Sequence, residues 1–287
     1  MQSQKIFIYQ LLPRLFGNTL SHNLCNGTIK ENGCGKFVDI IGKILRELKR
    51  SGYTHVWYTG ILAHASTTDY TAYGIPKEYP EIIKGNAGSL YAIRDYYDVD
   101  PDLAVNVEKR MQEFEALIVR THKAGLKVII NLVFNHIARN YKSIGKPQGT
   151  EDFGKHDDTS VTFSPLNNFY YLPGQSLELK LPPAKLMHAT YREEPAKVTG
   201  NDCFTNRPTQ YDWYDTVKLN YGIDYTNGHQ RLFSPVPDTW KKMNEILLFW
   251  ANKKIDGFHC DMAEMVPLEF WQWCIPQIKK NIQESFF

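Results

Sequence analysis

The sequence predicts an α/β fold in which a parallel sheet is covered by helical crossovers. Three observations carry that expectation. Short apolar runs alternate with longer segments of helical periodicity four times along the chain. The runs are continuously apolar, as strands covered on both faces are. Between the third run and its helix lies a polar excursion, residues 139–235, far longer than an ordinary loop.

The elements follow in order. Residues 5–11 (KIFIYQL) read as a buried strand. Residues 36–51 place Phe37, Ile40, Ile41, Ile44, Leu45 and Leu48 on one helical face, and Gly52 stops the helix. Residues 53–58 form a second strand that feeds a long loop rich in Tyr and Asp. Residues 103–124 carry Val107, Met111, Phe114, Leu117 and Ile118 at helical spacing, with Gly125 as the stop. The third strand, KVIINLV at 127–133, follows at once. Asp238 suits the N-cap of a helix holding Trp240, Met243, Ile246, Leu247 and Trp250. Residues 255–260 are the fourth strand, and Pro267 opens a fourth helix with Phe270, Trp271, Cys274 and Ile278 inward. The excursion is rich in Asn, Asp, Pro, Gly and Tyr, and stretches such as TSVTFSPLNNFYYLPG read as short strands and turns.

Bulk properties narrow the function. The 287 residues are 43% hydrophobic, enough for one large domain or two smaller ones. A formal charge of +2 without a basic run gives no sign of nucleic acid or an anionic membrane as partner. The five cysteines are scattered and form no CxxC pair or Cys/His cluster, so they read as reduced thiols rather than a zinc site or disulfide framework. The apolar stretch at the amino terminus is too short for a signal-peptide core, and no run is long enough to span a bilayer. A soluble, cytoplasmic protein is the expectation. No GxGxxG or GxxxxGK[ST] opens a helix, which speaks against a domain for phosphorylated ligands.

Polar residues gather at strand ends, where (β/α)₈ barrels hold their chemistry. Asn135 and His136 follow the third strand, and Asp261 ends the fourth. At this point the sequence resembles the α-amylase family of glycoside hydrolases. GLKVIINLVFNH (125–136) looks like the family's third-strand motif, and GFHCDMAEMV (257–266) like the fourth-strand motif bearing the nucleophile. LYAIRDYYDVDP (90–101) resembles the loop that supplies a sugar-stacking tyrosine. VKLNYG (217–222) resembles a weaker motif near the end of the family's inserted domain B, and IYQLLPRLFGN fits the first strand.

The resemblance implies a partial TIM (β/α)₈ barrel: its first four βα units at 1–138 and 236–287, with domain B inserted at 139–235. It implies retaining cleavage or transfer of α-linked glucans, starch or maltooligosaccharides, by two carboxyl groups about 5 Å apart. Asp261 takes the nucleophile's place, His136 that of a binder of sugar hydroxyls, and Tyr91 that of a platform beneath the sugar. His259 stands among the substrate-binding positions, and Asn135 marks a possible calcium site; no other cofactor is implied. Each has a plainer rival. Asp261 suits a helix N-cap, His136 a structural histidine, and Tyr91 core packing. Tyr170, Tyr171, Trp213 and Tyr214 read more as core than as sugar platforms.

Departures from the family pattern matter as much. His259 replaces an arginine whose charged fork steadies the nucleophile, Asn131 replaces an aspartate, and Met265 replaces a histidine associated with calcium binding. The chain ends soon after the fourth helix, before the strand that bears the family's general-acid glutamate. The expectation is therefore the amino-terminal half of an amylase-like enzyme, with little turnover by itself. The alternative is a non-catalytic or degenerate glucan-binding relative.

Overall fold

The computed structural model of the chain describes residues 5–281. The first strand, β1 (Ile8–Leu11), leads to helix α1 (Gly42–Arg50) and strand β2 (His55–Tyr58). Strands β3 (Leu62–His64) and β4 (Ile93–Val99) precede helix α2 (Arg110–Lys123) and strand β5 (Lys127–Val133). Strand β6 (His136–Ala138) leads into the excursion, which contributes β7 (Tyr171–Leu172), β8 (Ala196–Lys197), β9 (Thr216–Lys218), β10 (Ile223–Asp224) and β11 (Gln230–Arg231). Helix α3 (Asp238–Asn252), strand β12 (Gly257–Asp261) and helix α4 (Leu268–Asn281) complete the order.

The four predicted strands assemble into one parallel sheet in the order β1-β2-β5-β12. Leu11 pairs with Tyr58, Tyr58 with Ile130, and Asp261 with Val133, so the carboxyl ends lie side by side. Helices α1 and α2 pack on each other, as do α3 and α4. Their apolar stripes meet the sheet in a core that includes Phe114, Leu117, Leu247, Trp250, Phe258 and Phe270, all buried. Full burial of each such side chain contributes about 1.5–3 kcal/mol. Trp250 also donates its indole N–H to the Tyr96 carbonyl at 2.7 Å, which ties α3 to β4.

Five expectations need correction. The helix read as 36–51 spans only Gly42–Arg50: Phe37 lies in a separate 3₁₀ turn, and Ile41 is the N-cap, 48% exposed. The first strand is not buried: Ile6, Phe7 and Ile8 are 44%, 53% and 41% exposed, because β1 pairs only with β2 and its other edge has no partner among the described residues. The helix read as 103–124 begins only at Arg110, after two short 3₁₀ turns capped by the side chains of Asp100 and Asn106. Asp238 is not an N-cap. Pro237 occupies that position, and the Asp238 carboxylate instead accepts from Asn168 at 3.0 Å and Lys242 at 2.7 Å.

The largest difference lies after β2. The segment read as a polar loop forms β4, seven residues with every side chain buried, antiparallel to β3. Its charges are internally answered. Asp95 accepts from the Ser143 hydroxyl at 2.5 Å and from the Ile144 and Gly145 amides at 2.7 and 2.9 Å. Asp98 receives the Arg110 guanidinium through Nε at 2.8 and 2.9 Å. Satisfied acids of this kind are tolerated in an interior, and composition alone cannot reveal them.

The excursion has a small core of its own, Tyr170, Leu172, Ala196 and Val198. Phe153, Phe169, Tyr171, Val217, Leu219 and Tyr221 nevertheless join the main core. Its entry and exit are fastened together, since β6 pairs antiparallel with β9. No helix among the described residues is long and apolar enough to cross a membrane.

Candidate active site

At the carboxyl end of the sheet a cavity of about 370 Å³ is walled by Tyr91, His136, Trp213, Asp215 and Asp261, with Lys84 at its side. Its volume lies within the usual range for a small-ligand pocket. Three of the sequence-derived site residues meet there from separate elements.

Asp261 is the last residue of β12. The chain turns sharply after it: Met262 has φ of 55°, a left-handed conformation uncommon for a methionine. No side chain caps the short turn at 263–265, and α4 begins only at Leu268. Asp261 is therefore not a helix N-cap. Its carboxyl pKa is raised by burial, with His259 pulling it down and Glu264 pushing it further up.

His136 opens β6 and is 3% exposed. Burial, together with the nearby Lys218 and Lys84 ammonium groups, depresses its pKa to about 3, while a bond to the Tyr91 backbone opposes this. The imidazole is thus neutral at physiological pH, with Nδ1 3.3 Å from the Asn135 carboxamide nitrogen. The Trp213 ring lies 5.0 Å from it at an angle of 58°. The excursion's backbone approaches closely here: a Cβ on Gly200 would fall 2.8 Å from the His136 Cβ.

Tyr91 is 45% exposed, its ring at the cavity rather than in the core. Gly88 brings its loop into place, with φ of +74° and no room for a Cβ against the Ala65 carbonyl.

His259 is displaced from its expected role. It lies one layer below Asp261, since residues two apart on a strand share a face. Its ring stacks on Trp57 with centroids 4.0 Å apart and planes at 22°, and it does not wall the cavity. Its Nδ1 is buried without a hydrogen-bond partner. On the neighbouring strand, Asn131 sits opposite His259 in register. Asn131 uses its amide oxygen to anchor the end of β2, accepting from the Thr59 hydroxyl at 3.0 Å and the Gly60 amide at 3.2 Å.

The residues around Asn135 do not fit calcium, which takes six to eight oxygen ligands. The Asn135 carboxamide donates to the Gly200 carbonyl at 2.7 Å, and its oxygen accepts from the Lys218 ammonium at 3.0 Å. Lys218 is buried, ion-paired with Asp202, and 5.0 Å from the Tyr225 ring centroid. Burial lowers its pKa, and Asp202 opposes that. Among the described residues no group of three or more His, Cys, Asp or Glu is placed to hold a metal. An ammonium thus stands where a metal's charge would be needed. Chelation of divalent ions is expected to leave the melting temperature unchanged, whereas Lys218→Met costs about 1–3 kcal/mol by orphaning its partners; thermal unfolding with and without chelator checks both.

Sequence reading missed Lys84, Trp213 and Asp215. Trp213, read as core, is half-buried against His136, whereas Tyr170, Tyr171 and Tyr214 are indeed buried. The usable signal was proximity: Trp213 and Asp215 stand four and two residues before VKLNYG.

The alpha amylase catalytic-domain family matches residues 10–281. The trehalose-6-phosphate hydrolase of Bacillus subtilis is 30% identical over 264 residues, covering 92% of this chain and 36% of that protein. Maltase 1 of Drosophila virilis is 26% identical over 175 residues, 60% of this chain and 22% of that one. An amino acid transporter heavy chain of Homo sapiens is 25% identical over 178 residues, 61% of this chain and 21% of its own. Among solved structures, a debranching enzyme from Nostoc punctiforme superposes with a TM-score of 0.57 at 19% identity, covering 98% of this chain and 46% of that one. An alpha-amylase from Lactobacillus plantarum gives 0.54 at 20%, covering 98% and 43%. These structures share the TIM-barrel type of fold. The chain spans about a third or less of the length of these curated relatives and under half of the solved ones.

Proposed function

Because the chain belongs to the alpha-amylase family, we propose that it is the nucleophile-bearing part of a retaining glycoside hydrolase of α-linked glucans. The observation that supports this reading is the meeting of Asp261, His136 and Tyr91 in one cavity wall. The Asp261 carboxylate attacks the anomeric carbon, the bond to the leaving oxygen breaks, and an acid delivers a proton to that oxygen. Water then releases the sugar with its configuration retained. His136, neutral and amphoteric, hydrogen-bonds ring hydroxyls, and Tyr91 stacks beneath the ring.

In this reading the acid does not come from the residues described. Asp215 is the other carboxyl group in the wall, and it is engaged by Lys84 at 3.3 Å. The edges of β1 and β12 that lack a partner among the described residues suit further βα units that would close the barrel and carry the acid. Without them the chain cleaves natural glucans little or not at all.

A glycosyl fluoride tests the reading directly, because fluoride departs as an anion and needs no proton. Mixed with α-maltosyl fluoride, the chain is expected to release at least one equivalent of fluoride and to bind maltotriose by calorimetry. A chain that neither releases fluoride nor binds maltooligosaccharides defeats the proposal.

Binding without fluoride release supports instead a non-catalytic glucan-binding relative. The stacking of His259 on Trp57 favours that second reading, since a ring so placed cannot offer a guanidinium fork. His259→Arg is accordingly expected to raise fluoride release about tenfold or more, equivalent to ~1.4 kcal/mol of barrier. An unchanged rate removes position 259 from the account.

A further inference from the structure

Lys84 belongs to the walls of two cavities: the one containing Asp261 and a neighbour of about 540 Å³. It is met by a turn of the excursion, closed by the Thr216 amide donating to the Trp213 carbonyl at 2.9 Å. Trp213 and Asp215 face the first cavity and Tyr214 the second. The Lys84 ammonium lies 3.3 Å from Asp215 Oδ1 and 5.4 Å from the Tyr214 ring centroid. Turn and ammonium together separate the two spaces.

The chemistry of the partition is specific. Asp215 is 2% exposed, and its Oδ1 faces the Lys84 ammonium at 3.3 Å. An ammonium has three N–H donors and a carboxylate several lone pairs, so the ion pair keeps capacity for a further donor and a further acceptor. A free sugar hydroxyl satisfies both, accepting from the ammonium and donating to the carboxylate. A hydroxyl oxygen already joined to another sugar has no proton to give, and the next unit would run into Lys84. Sites that hydrogen-bond a hydroxyl discriminate strongly against partners lacking it, because the buried group is left unpaired.

We infer that the Lys84–Asp215 pair ends the sugar cleft on this side and selects the terminal glucosyl unit of an α-glucan over an internal one. The inference rests on the glucan reading above and deepens it from a linkage class to a chain-end preference.

Calorimetric titration with linear maltoheptaose and with a cyclic glucan of seven units, which has no end, tests it. The chain is expected to bind the linear sugar at least about tenfold more tightly than the ring. It should also bind maltotriose about as tightly as maltoheptaose. Lys84→Ala joins the two cavities and is expected to bring the linear-to-cyclic ratio near one. Asp215→Asn keeps the shape, adds donors where an acceptor stood, and is expected to do the same, so a folding defect in one variant does not decide the matter. A chain that binds both sugars equally, or variants that keep the preference, overturns the inference and leaves the glucan reading standing. A chain that binds neither overturns both.

Discussion

Asp261→Asn is expected to abolish fluoride release from α-maltosyl fluoride, by at least about a thousandfold, or ~4 kcal/mol of barrier. Affinity for maltotriose should change less than about threefold. The carboxamide matches the carboxylate in shape but has no charge with which to attack, so binding and chemistry separate. Asp261→Ala opens a small space beside the anomeric carbon, and added formate is expected to restore part of the release by attacking in its place. A structural aspartate gives the opposite pattern: a lower melting temperature, weaker binding and no rescue. The pH dependence has a definite sign. Burial raises the Asp261 pKa, and only the ionised form attacks, so release falls as pH drops through that raised value. Arginine at 259 brings a permanent charge and moves the acid limb to lower pH.

Much of this site was legible before any coordinates. Asp261, Asn135 and His136 announce themselves because a parallel sheet leaves reactive side chains at its carboxyl ends, and an acid ending an apolar run needs a reason. The apolar faces of α3 and α4 and the exact span of β5 were equally readable, whereas the helices read from 36 and 103 begin only at Gly42 and Arg110. What stayed hidden depends on tertiary partners. Asp95 and Asp98 made β4 look like a loop, because their counterparts Ser143, Ile144, Gly145 and Arg110 arrive from elsewhere in sequence. The exposure of Ile6, Phe7 and Ile8 was invisible for the same reason, since an apolar run does not say whether its edge is paired. Lys218 is the clearest case. It lies within a motif already singled out, yet only its approach to Asn135 shows that a side-chain cation faces the oxygen a metal was expected to bind. His259 could be recognised as a departure but not placed. Its position beneath Asp261, against Trp57, follows from strand register.

The largest effect on stability is expected from Glu193→Ala. Arg139 is 1% exposed and shares its guanidinium among several acceptors: Glu193 Oε1 at 2.5 Å, the Tyr214 carbonyl at 2.8 Å and the Thr216 carbonyl at 3.2 Å. Glu193 in turn accepts from the Lys197 amide at 2.7 Å and the Tyr191 hydroxyl at 2.8 Å. Removing the carboxylate leaves a buried cation unpaired, at a cost of about 3–5 kcal/mol. Replacing both partners by apolar residues, Arg139→Met with Glu193→Leu, should cost less than Glu193→Ala alone, because no charge is then stranded. Burial works against the Glu193 carboxylate, but Arg139 and Lys197 outweigh it and hold its pKa below the ordinary range. The stabilisation from this group is therefore complete above the unfolded carboxylate pKa, about 4.3, and is lost as pH falls through the lower folded value. Glu193→Gln should flatten that acid limb in chemical-denaturation curves taken across pH. The effect also reaches the cleft, since the carbonyls held by Arg139 bracket Asp215 in the chain. Glu193→Ala should weaken maltotriose binding along with the melting temperature. A variant that melts lower yet binds unchanged would show that the excursion's wall at Asp215 is held by β6 and β9 pairing rather than by this guanidinium.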